Sequence, residues 1–221
     1  MTFKKTTLPK LTSKQIDQVF KVLSKTITSP KTELNYSSVF ELLIAVILSA
    51  QATDVSVNKV TPSLFKVAPT PEKMIRLGAS GLQKYIKSIG LYKTKASNII
   101  KTCQMLIVDY NSSIPDSRTE LEKLPGVGRK TAGVVLNVAF KKSEIPVDTH
   151  VFRTSNRIGL VKAKTPKETE IQLQRVVPDW VKINAHHLLI LHGRFVCKAR
   201  KPLCQTCCIN DCCHYFKESG F

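Results

Sequence analysis

The sequence predicts an all-α protein, because three separate patterns agree. Apolar residues recur at the three- and four-residue spacing that places them on one face of a helix. Helix-start signals of the capping-box type are frequent, with a hydroxyl side chain followed three residues later by Glu or Gln. Neither Asn-Gly nor Asp-Gly occurs, and no alternating strand pattern stands out. We therefore expect roughly ten helices joined by short loops.

These patterns place the helices in order along the chain. The first helix covers residues 16–27 and a long one covers 96–110, both by apolar periodicity. Two shorter helices, 118–124 and 129–140, flank a glycine-containing turn, and a later helix ends near Gly159. Further helix starts are indicated by Ser38…Glu41, Ser80…Gln83, Ser117…Glu120 and Thr165-Pro166…Glu168. The last 25 residues are Cys-rich and typical of a loop organised by metal.

The charge balance indicates a polyanionic partner. Lys+Arg 34 against Asp+Glu 16 gives a net charge of +18, a field that attracts nucleic acid by counterion release. An anionic membrane surface is the second candidate, and a merely basic, solvated surface is the third. The longest apolar run, Leu42 to Leu48, is too short to span a bilayer, and no apolar leader follows Lys4 and Lys5. We expect a cytoplasmic protein without a membrane partner.

Six of the seven cysteines fall within residues 197–213, which indicates metal binding in a reducing compartment. One candidate set of ligands, separated by six, two and five residues, is Cys197, Cys204, Cys207 and Cys213. Cys208 and Cys212 offer other sets of four. Four thiolates can hold tetrahedral zinc or a [4Fe–4S] cluster. One close pair after a long first loop favours iron–sulfur slightly over zinc.

The first loop of this set carries three cations, Lys198, Arg200 and Lys201. Because metal ligands would pin both of its ends, the loop could present a rigid basic edge to a phosphate backbone. The same charges could instead serve to offset a negatively charged cluster.

A glycine hairpin, residues 124–130, separates two of the predicted helices. Gly126 and Gly128 permit positive φ and a close approach of the backbone to a ligand, and the amides that open the next helix form an anion site near Arg129. Lys130 lies in the first turn of that helix, whose positive end disfavours a protonated amine. A neutral amine is the form that attacks carbon to make a Schiff base. The alternatives are an ordinary interhelical turn and an exposed surface lysine.

Asp148 precedes another predicted helix, in the loop that begins at Glu144. Its structural role is that of an N-cap. Its functional role would be to stabilise positive charge developing on a sugar as a base departs, and one carboxylate could do both. We expect His150 to be structural, and His186, His187 and His192 to be helix-packing residues.

Taken together, the hairpin with Lys130, the Pro-x-Asp loop with Asp148 and the Cys-x6-Cys-x2-Cys-x5-Cys set resemble the endonuclease III family of helix–hairpin–helix DNA glycosylases. Residues 49–54 and 89–92 also resemble that family, so the likeness covers nearly the whole chain. The resemblance implies a two-part helical fold. One part is a six-helix domain at 32–142, with the helix–hairpin–helix at about 118–137, and the other joins 1–31 to 143–221.

The resemblance also implies the role of each candidate residue. Lys130 would be the nucleophile that attacks C1′ of an everted nucleotide, and Asp148 its essential carboxylate partner. Gln51 would fill the vacated gap and Leu91 would act as a wedge, although a core or turn leucine is the alternative. The hairpin and basic loop would contact DNA through Gly126, Gly128, Arg129, Lys198, Arg200 and Lys201. One [4Fe–4S] cluster per chain would be held by Cys197, Cys204, Cys207 and Cys213.

The implied activity is base-excision repair: removal of oxidised pyrimidines from double-stranded DNA and β-elimination 3′ to abasic sites. The enzyme would be a cytoplasmic monomer, associated with the nucleoid if the source is bacterial. Cys208, Cys212 and Gly133 depart from the family pattern, and Gly133 predicts a slightly weaker helix. The rival interpretations are the adenine-specific sister glycosylase, which lacks a Schiff-base lysine at the Lys130 position and usually carries a further domain, and a non-catalytic nucleic-acid-binding module with zinc.

Overall fold

The computed structural model describes residues 10–220, and in this range it contains helices and loops but no strand. The all-α prediction is confirmed. The predicted domain segment 1–31 lies partly outside the described residues, as does Phe221. None of the described helices combines the length and the apolar character needed to cross a membrane. The helices are α1 Ser13–Thr26, α2 Val39–Ser49, α3 Asp54–Val67, α4 Pro71–Ile86, α5 Tyr92–Tyr110, α6 Arg118–Leu121, α7 Arg129–Val138, α8 Thr149–Ile158, α9 Pro166–Val176, α10 Lys182–Phe195 and α11 His214–Ser219.

The chain separates into two compact units. One unit is Thr32–Lys141 and contains α2 to α7. The other comprises the described parts of Met1–Lys31 and Lys142–Phe221, and contains α1 with α8 to α11. Short 3-10 turns at Asp179–Val181 and Asn210–Cys212 complete the second unit.

Helix α2 is the central element of the unit Thr32–Lys141. Every residue from Phe40 to Leu48 is buried, because the segment is apolar almost without interruption and other helices, among them α3, α5 and α7, pack against it. Ser38 caps its first turn by accepting a hydrogen bond from the Glu41 amide at 3.1 Å. The Glu41 carboxylate accepts from the Ser37 amide at 2.6 Å, so the predicted start signal is confirmed in a slightly shifted form.

The core of the other unit lies between α1, α8 and α10, whose apolar faces meet. Phe20 of α1, Val151 of α8 and Leu188 of α10 are fully buried. Helix α1 begins with a complete capping box between Thr12 and Gln15. The predicted start at Thr165 is also confirmed, since its hydroxyl accepts from the Glu168 amide with Pro166 at the first helical position.

One predicted helix start is misplaced, and another is confirmed in position but lacks its predicted side-chain cap. The break near Ser80 lies at Gly78, which has φ 69° and ψ 168° and kinks α4, because only glycine adopts that conformation easily. Ser117 is an N-cap by position, but its hydroxyl pairs with that of Thr119 at 2.8 Å and does not cap the helix.

The helices around the hairpin are shorter than predicted. Helix α6 ends at Leu121, and its continuation to Leu124 is a pair of overlapping turns. Helix α7 ends at Val138, two residues before the predicted end. Apolar periodicity continues through such turns, so it does not mark where helical hydrogen bonding stops.

Candidate functional site

The glycine hairpin is a tight turn held from beneath by α5. The Val127 amide donates to the Leu124 carbonyl at 3.0 Å, and Thr102 of α5 donates its hydroxyl to the Pro125 carbonyl at 2.9 Å. Gly126 has φ 83°, and a Cβ on it would come within 3.2 Å of the Asn98 side chain. Glycine is therefore required at this position for both backbone and packing reasons.

Gly128 does something different from what its sequence context predicts. It is extended, with φ −93°, and a Cβ there would meet nothing within 4 Å. As the N-cap of α7 it supplies no side-chain oxygen, so no side-chain cap covers the helix start. Arg129 and Lys130 follow directly and are exposed. The first turn of α7 thus combines backbone amides that lack a side-chain cap with two exposed cations.

The two loops that contain Gln51 and Leu91 abut in the unit Thr32–Lys141. Gln51 has φ 56° and Leu91 has φ 60°, a left-handed conformation that is uncommon outside glycine. A Cβ built on Gly90 would lie 3.7 Å from the Gln51 carbonyl oxygen. Leu91 is 60% exposed, so it is not a core leucine. Strained backbone at exposed residues is typical of functional loops.

Asp148 is the N-cap of α8 and is half-buried. Its Oδ1 accepts a hydrogen bond from the Val151 amide at 2.8 Å, which confirms the predicted structural role. The loop before it is buried from Ile145 to Val147. A ring nitrogen of His186 lies 2.6 Å from the Pro146 carbonyl oxygen. Helix α10 thereby fixes the backbone that presents the carboxylate.

The four cysteines of the predicted ligand set line one pocket. The rest of its lining is largely apolar and includes Ile158, Val196 and Leu203. The two remaining cysteines of the cluster lie elsewhere: Cys208 is exposed and Cys212 lines a different depression against α1. The four predicted ligands therefore share one pocket, which Cys208 and Cys212 do not line.

The thiols of this pocket are held in apolar surroundings. Burial raises the pKa of Cys207 to about 11, and burial also raises the pKa of Cys204 and Cys213. His192 lies 3.7 Å from the Cys207 sulfur, and burial lowers its pKa to about 4. Metal ligation would supply the compensating cation that stabilises thiolates at these three positions. The C-terminal cysteine cluster is consistent with an iron–sulfur centre.

The basic loop after Cys197 is organised by Arg157 of α8. The guanidinium donates to the Lys198 carbonyl at 2.7 Å and to the Ala199 carbonyl at 3.1 Å, and it stacks over the Tyr215 ring at 4.7 Å. The side chains of Lys198, Arg200 and Lys201 are exposed. The loop is thus shaped by hydrogen bonds from the Arg157 side chain to its backbone carbonyls, while its own cationic side chains are exposed.

Comparisons with known proteins decide the family. Residues 44–179 match the model of the HhH-GPD superfamily base excision DNA repair protein. Endonuclease III of Escherichia coli (strain K12) is 58% identical over 84% of this chain and 88% of its own. That of Rickettsia conorii is 54% identical over 91% and 96%. The chain belongs to the endonuclease III family.

Comparison with solved structures supports the same family. A trapped covalent intermediate of endonuclease III with DNA superposes with a TM-score of 0.89 at 44% identity, covering 96% of this chain and 100% of that one. As a member of the endonuclease III family, the chain is a base-excision repair enzyme, a DNA glycosylase and abasic-site lyase. The interpretation as a non-catalytic binding module is therefore excluded.

Some residues that shape these sites were missed by sequence reasoning. Lys95 and Thr102 anchor the loops and the hairpin, and Arg157 shapes the basic loop. In α5, the helical spacing of Leu91, Lys95 and Thr102 was available as a signal, since they share one face with Asn98. His186 was predicted to be a packing residue, and it is buried, but its bond to the Pro146 carbonyl had no local signal.

Proposed function

We propose that this enzyme removes oxidised, ring-saturated or fragmented pyrimidines from double-stranded DNA and cuts the strand 3′ to the abasic site, with Lys130 as the nucleophile. The observation that carries the proposal is the position of Lys130, exposed in the first turn of α7 directly after the hairpin. A lysine beside uncapped helix amides combines a nucleophile with an anion-binding backbone. The related structure of a trapped covalent intermediate supports a covalent mechanism.

The chemistry proceeds in two stages. The neutral amine of Lys130 attacks C1′ of the everted nucleotide as the bond to the base breaks, and the departing base takes up a proton. The Asp148 carboxylate stabilises the positive charge on the sugar as this bond opens. The ring then opens to a Schiff base, which acidifies the C2′ proton. Loss of that proton expels the 3′ phosphate by β-elimination, and hydrolysis releases Lys130.

The remaining proposed contacts hold the duplex. The amides of Gly126 and Gly128, with Arg129, would bind a backbone phosphate without reading a base. Gln51 would fill the gap left by the everted nucleotide and Leu91 would separate neighbouring bases, as apolar wedges do. We propose phosphate contacts also for Lys198, Arg200 and Lys201 of the basic loop.

Borohydride reduction tests the nucleophile. On DNA with one abasic site the wild-type chain should form a covalent adduct visible as a shifted band on a denaturing gel. Lys130→Gln should abolish this adduct, because an amide cannot form a Schiff base. Lys84→Gln, which removes an exposed lysine of α4, is the matched control and should trap normally. An adduct that persists in Lys130→Gln would contradict the assignment.

We propose that the cysteine pocket holds one [4Fe–4S] cluster, ligated by Cys197, Cys204, Cys207 and Cys213. The spacing of the four thiols supports an iron–sulfur cluster over zinc, since only one close pair follows a long first loop, and the close relation to endonuclease III agrees with it. The cluster would supply structural cross-linking of the loop that carries the basic residues.

Serine substitutions test the ligand set. Cys204→Ser should lose most of the iron and the absorption band at about 400 nm that such clusters give. Cys208→Ser and Cys212→Ser should keep about four iron atoms per chain, because neither side chain lines the pocket. Zinc in the purified protein, or iron loss equal in all three variants, would refute the proposed site.

The wider setting follows from these roles. We propose that the enzyme acts as a monomer on DNA in the cytoplasm, near the nucleoid of a bacterial cell, since its substrate would lie there. We further propose that the functional domains are 32–142 and 1–31 plus 143–221.

A further inference from the structure

A buried lysine that the mechanism does not use lies beneath the two loops that contain Gln51 and Leu91. Lys95 is 6% exposed and sits in the first turn of α5, where its amide donates to the Leu91 carbonyl at 3.0 Å. Its Nζ donates to the Leu48 carbonyl at 2.8 Å. Burial lowers the pKa of this amine. A buried ammonium is costly to desolvate, so its retention calls for a specific partner.

The Leu48 carbonyl belongs to the last turn of α2, where carbonyls have no partner within the helix. The other carbonyls of that turn are satisfied locally. Val46 accepts from the Ser49 hydroxyl at 2.9 Å, and the Ile47 and Ser49 carbonyls accept from amides of the next residues of the chain. Leu48 instead accepts from Lys95, an amine 47 positions away. A cation at a helix C-terminus is also favoured by the helix dipole.

This hydrogen bond connects the two loops close to where each one joins its helix. Gln51 follows Leu48 by three residues and Leu91 precedes Lys95 by four. Above the bond the loops touch, where Gly90 faces the Gln51 carbonyl. Both loops hold a non-glycine residue at positive φ, a conformation that persists only when the surroundings impose it.

We propose that Lys95 is a positioning residue that locks the Gln51 and Leu91 loops into one rigid element, so that both side chains enter the duplex together. The inference rests on the insertion roles given to these two residues in the proposed function. Lys95 touches neither the DNA nor the reacting atoms. Without it, the Leu48 carbonyl is left buried without its donor, and the two loops lose the bond that fixes their spacing.

The test is Lys95→Met in the iron-loaded protein, with Lys101→Met as control, because Lys101 is an exposed lysine of the same helix. A duplex carries 2-aminopurine opposite an abasic site, and its fluorescence reports insertion into the base stack. Lys95→Met should lower the insertion amplitude and kcat/KM by about tenfold or more, while Lys101→Met stays within about twofold of wild type. Equal behaviour of the two variants would overturn the proposal.

A double-mutant cycle with Leu91→Ala separates positioning from a general loss of stability. If Lys95 acts through the loops, the variant carrying both changes should insert no worse than Leu91→Ala alone, within about threefold. Multiplying effects, or an insertion signal unchanged by Leu91→Ala, would overturn the inference. Lys95→Gln is measured in parallel. If Lys95→Met does not fold, the same expected and contradicting results apply to Lys95→Gln.

A failure of the proposed lyase activity would be distinguishable from a failure of the role proposed for Lys95. In that case the wild-type chain would form no borohydride adduct, while the 2-aminopurine insertion signal and its dependence on Lys95 would remain. The two outcomes use different readouts on the same duplex.

Discussion

At the scale of single residues, the two glycines of the hairpin differ although the sequence presents them alike. At Gly126 the absence of a side chain is required for two reasons: the φ of 83°, and the Asn98 side chain, which would lie 3.2 Å from a Cβ. At Gly128 neither reason applies, since its backbone is extended and a Cβ would meet nothing within 4 Å. Glycine is a favoured N-cap residue, and here it also leaves room for a ligand to come close to the backbone.

Alanine substitutions should separate these two requirements. Gly126→Ala should lower the free energy of unfolding by about 1–2 kcal/mol or more, because an L-residue is strained at positive φ. Gly128→Ala should cost less, at most about 1 kcal/mol for the poorer N-cap, yet weaken binding to abasic DNA. Urea unfolding and fluorescence anisotropy measure the two effects. Equal losses of stability would show that the turn, and not a ligand, requires both glycines.

At the scale of elements, α8 and α5 each connect a local signal to a distant site. Helix α8 is capped by Asp148 and, two turns later, holds the basic loop through Arg157. Helix α5 begins after Leu91 and meets the α2 terminus through Lys95 and the hairpin through Thr102. Rigid helices thus carry the spacing between functional residues that are separate in the sequence.

The two roles of Asp148 can be separated by the choice of substitution. Asp148→Asn keeps a good N-cap acceptor for the Val151 amide, so stability should change by only a few tenths of a kcal/mol. Asp148→Ala removes the cap and should cost about 1 kcal/mol. Both should lose most glycosylase activity, because neither carries a charge to stabilise the sugar. Thermal unfolding and single-turnover excision provide the measurements, and an active Asp148→Asn would refute the catalytic role.

At the scale of the whole molecule, the charge of +18 sets the conditions under which the enzyme binds. Counterion release makes such binding strongly dependent on salt, with a slope of about 0.9 in log K per phosphate contact. The field gives affinity and encounter rate without sequence preference. Selection of damaged nucleotides therefore has to come from interactions other than this net charge.

Replacing Lys198, Arg200 and Lys201 by alanine should reduce the salt slope by about 0.9 for each phosphate that these side chains neutralise in the wild-type complex. The control replaces Lys25, Lys164 and Lys167, which are exposed and outside the proposed interface, and removes the same charge. Anisotropy titrations on abasic DNA at several salt concentrations give both slopes. If the two triple variants share one slope, only the net charge matters and the basic loop makes no direct contact.

The sequence by itself determined the helical class, most helix starts and the residue types of the candidate sites. These features depend on hydrogen bonds between residues three or four apart and on apolar periodicity, both of which are local. The N-cap role of Asp148 is an example, because its partner Val151 is three residues away. The family motifs added roles that the local pattern alone left open.

Only the tertiary structure decided which cysteines share a pocket, which hairpin glycine is strained and what Lys95 binds. Each depends on residues brought together by packing: Cys197 with Cys213, Gly126 with Asn98, and Lys95 with the Leu48 carbonyl. Their spacing along the chain follows no helical period, so no local rule signals them. A cysteine's burial and a lysine's acceptor are fixed by the close packing of the core, which forms only when the distant segments meet.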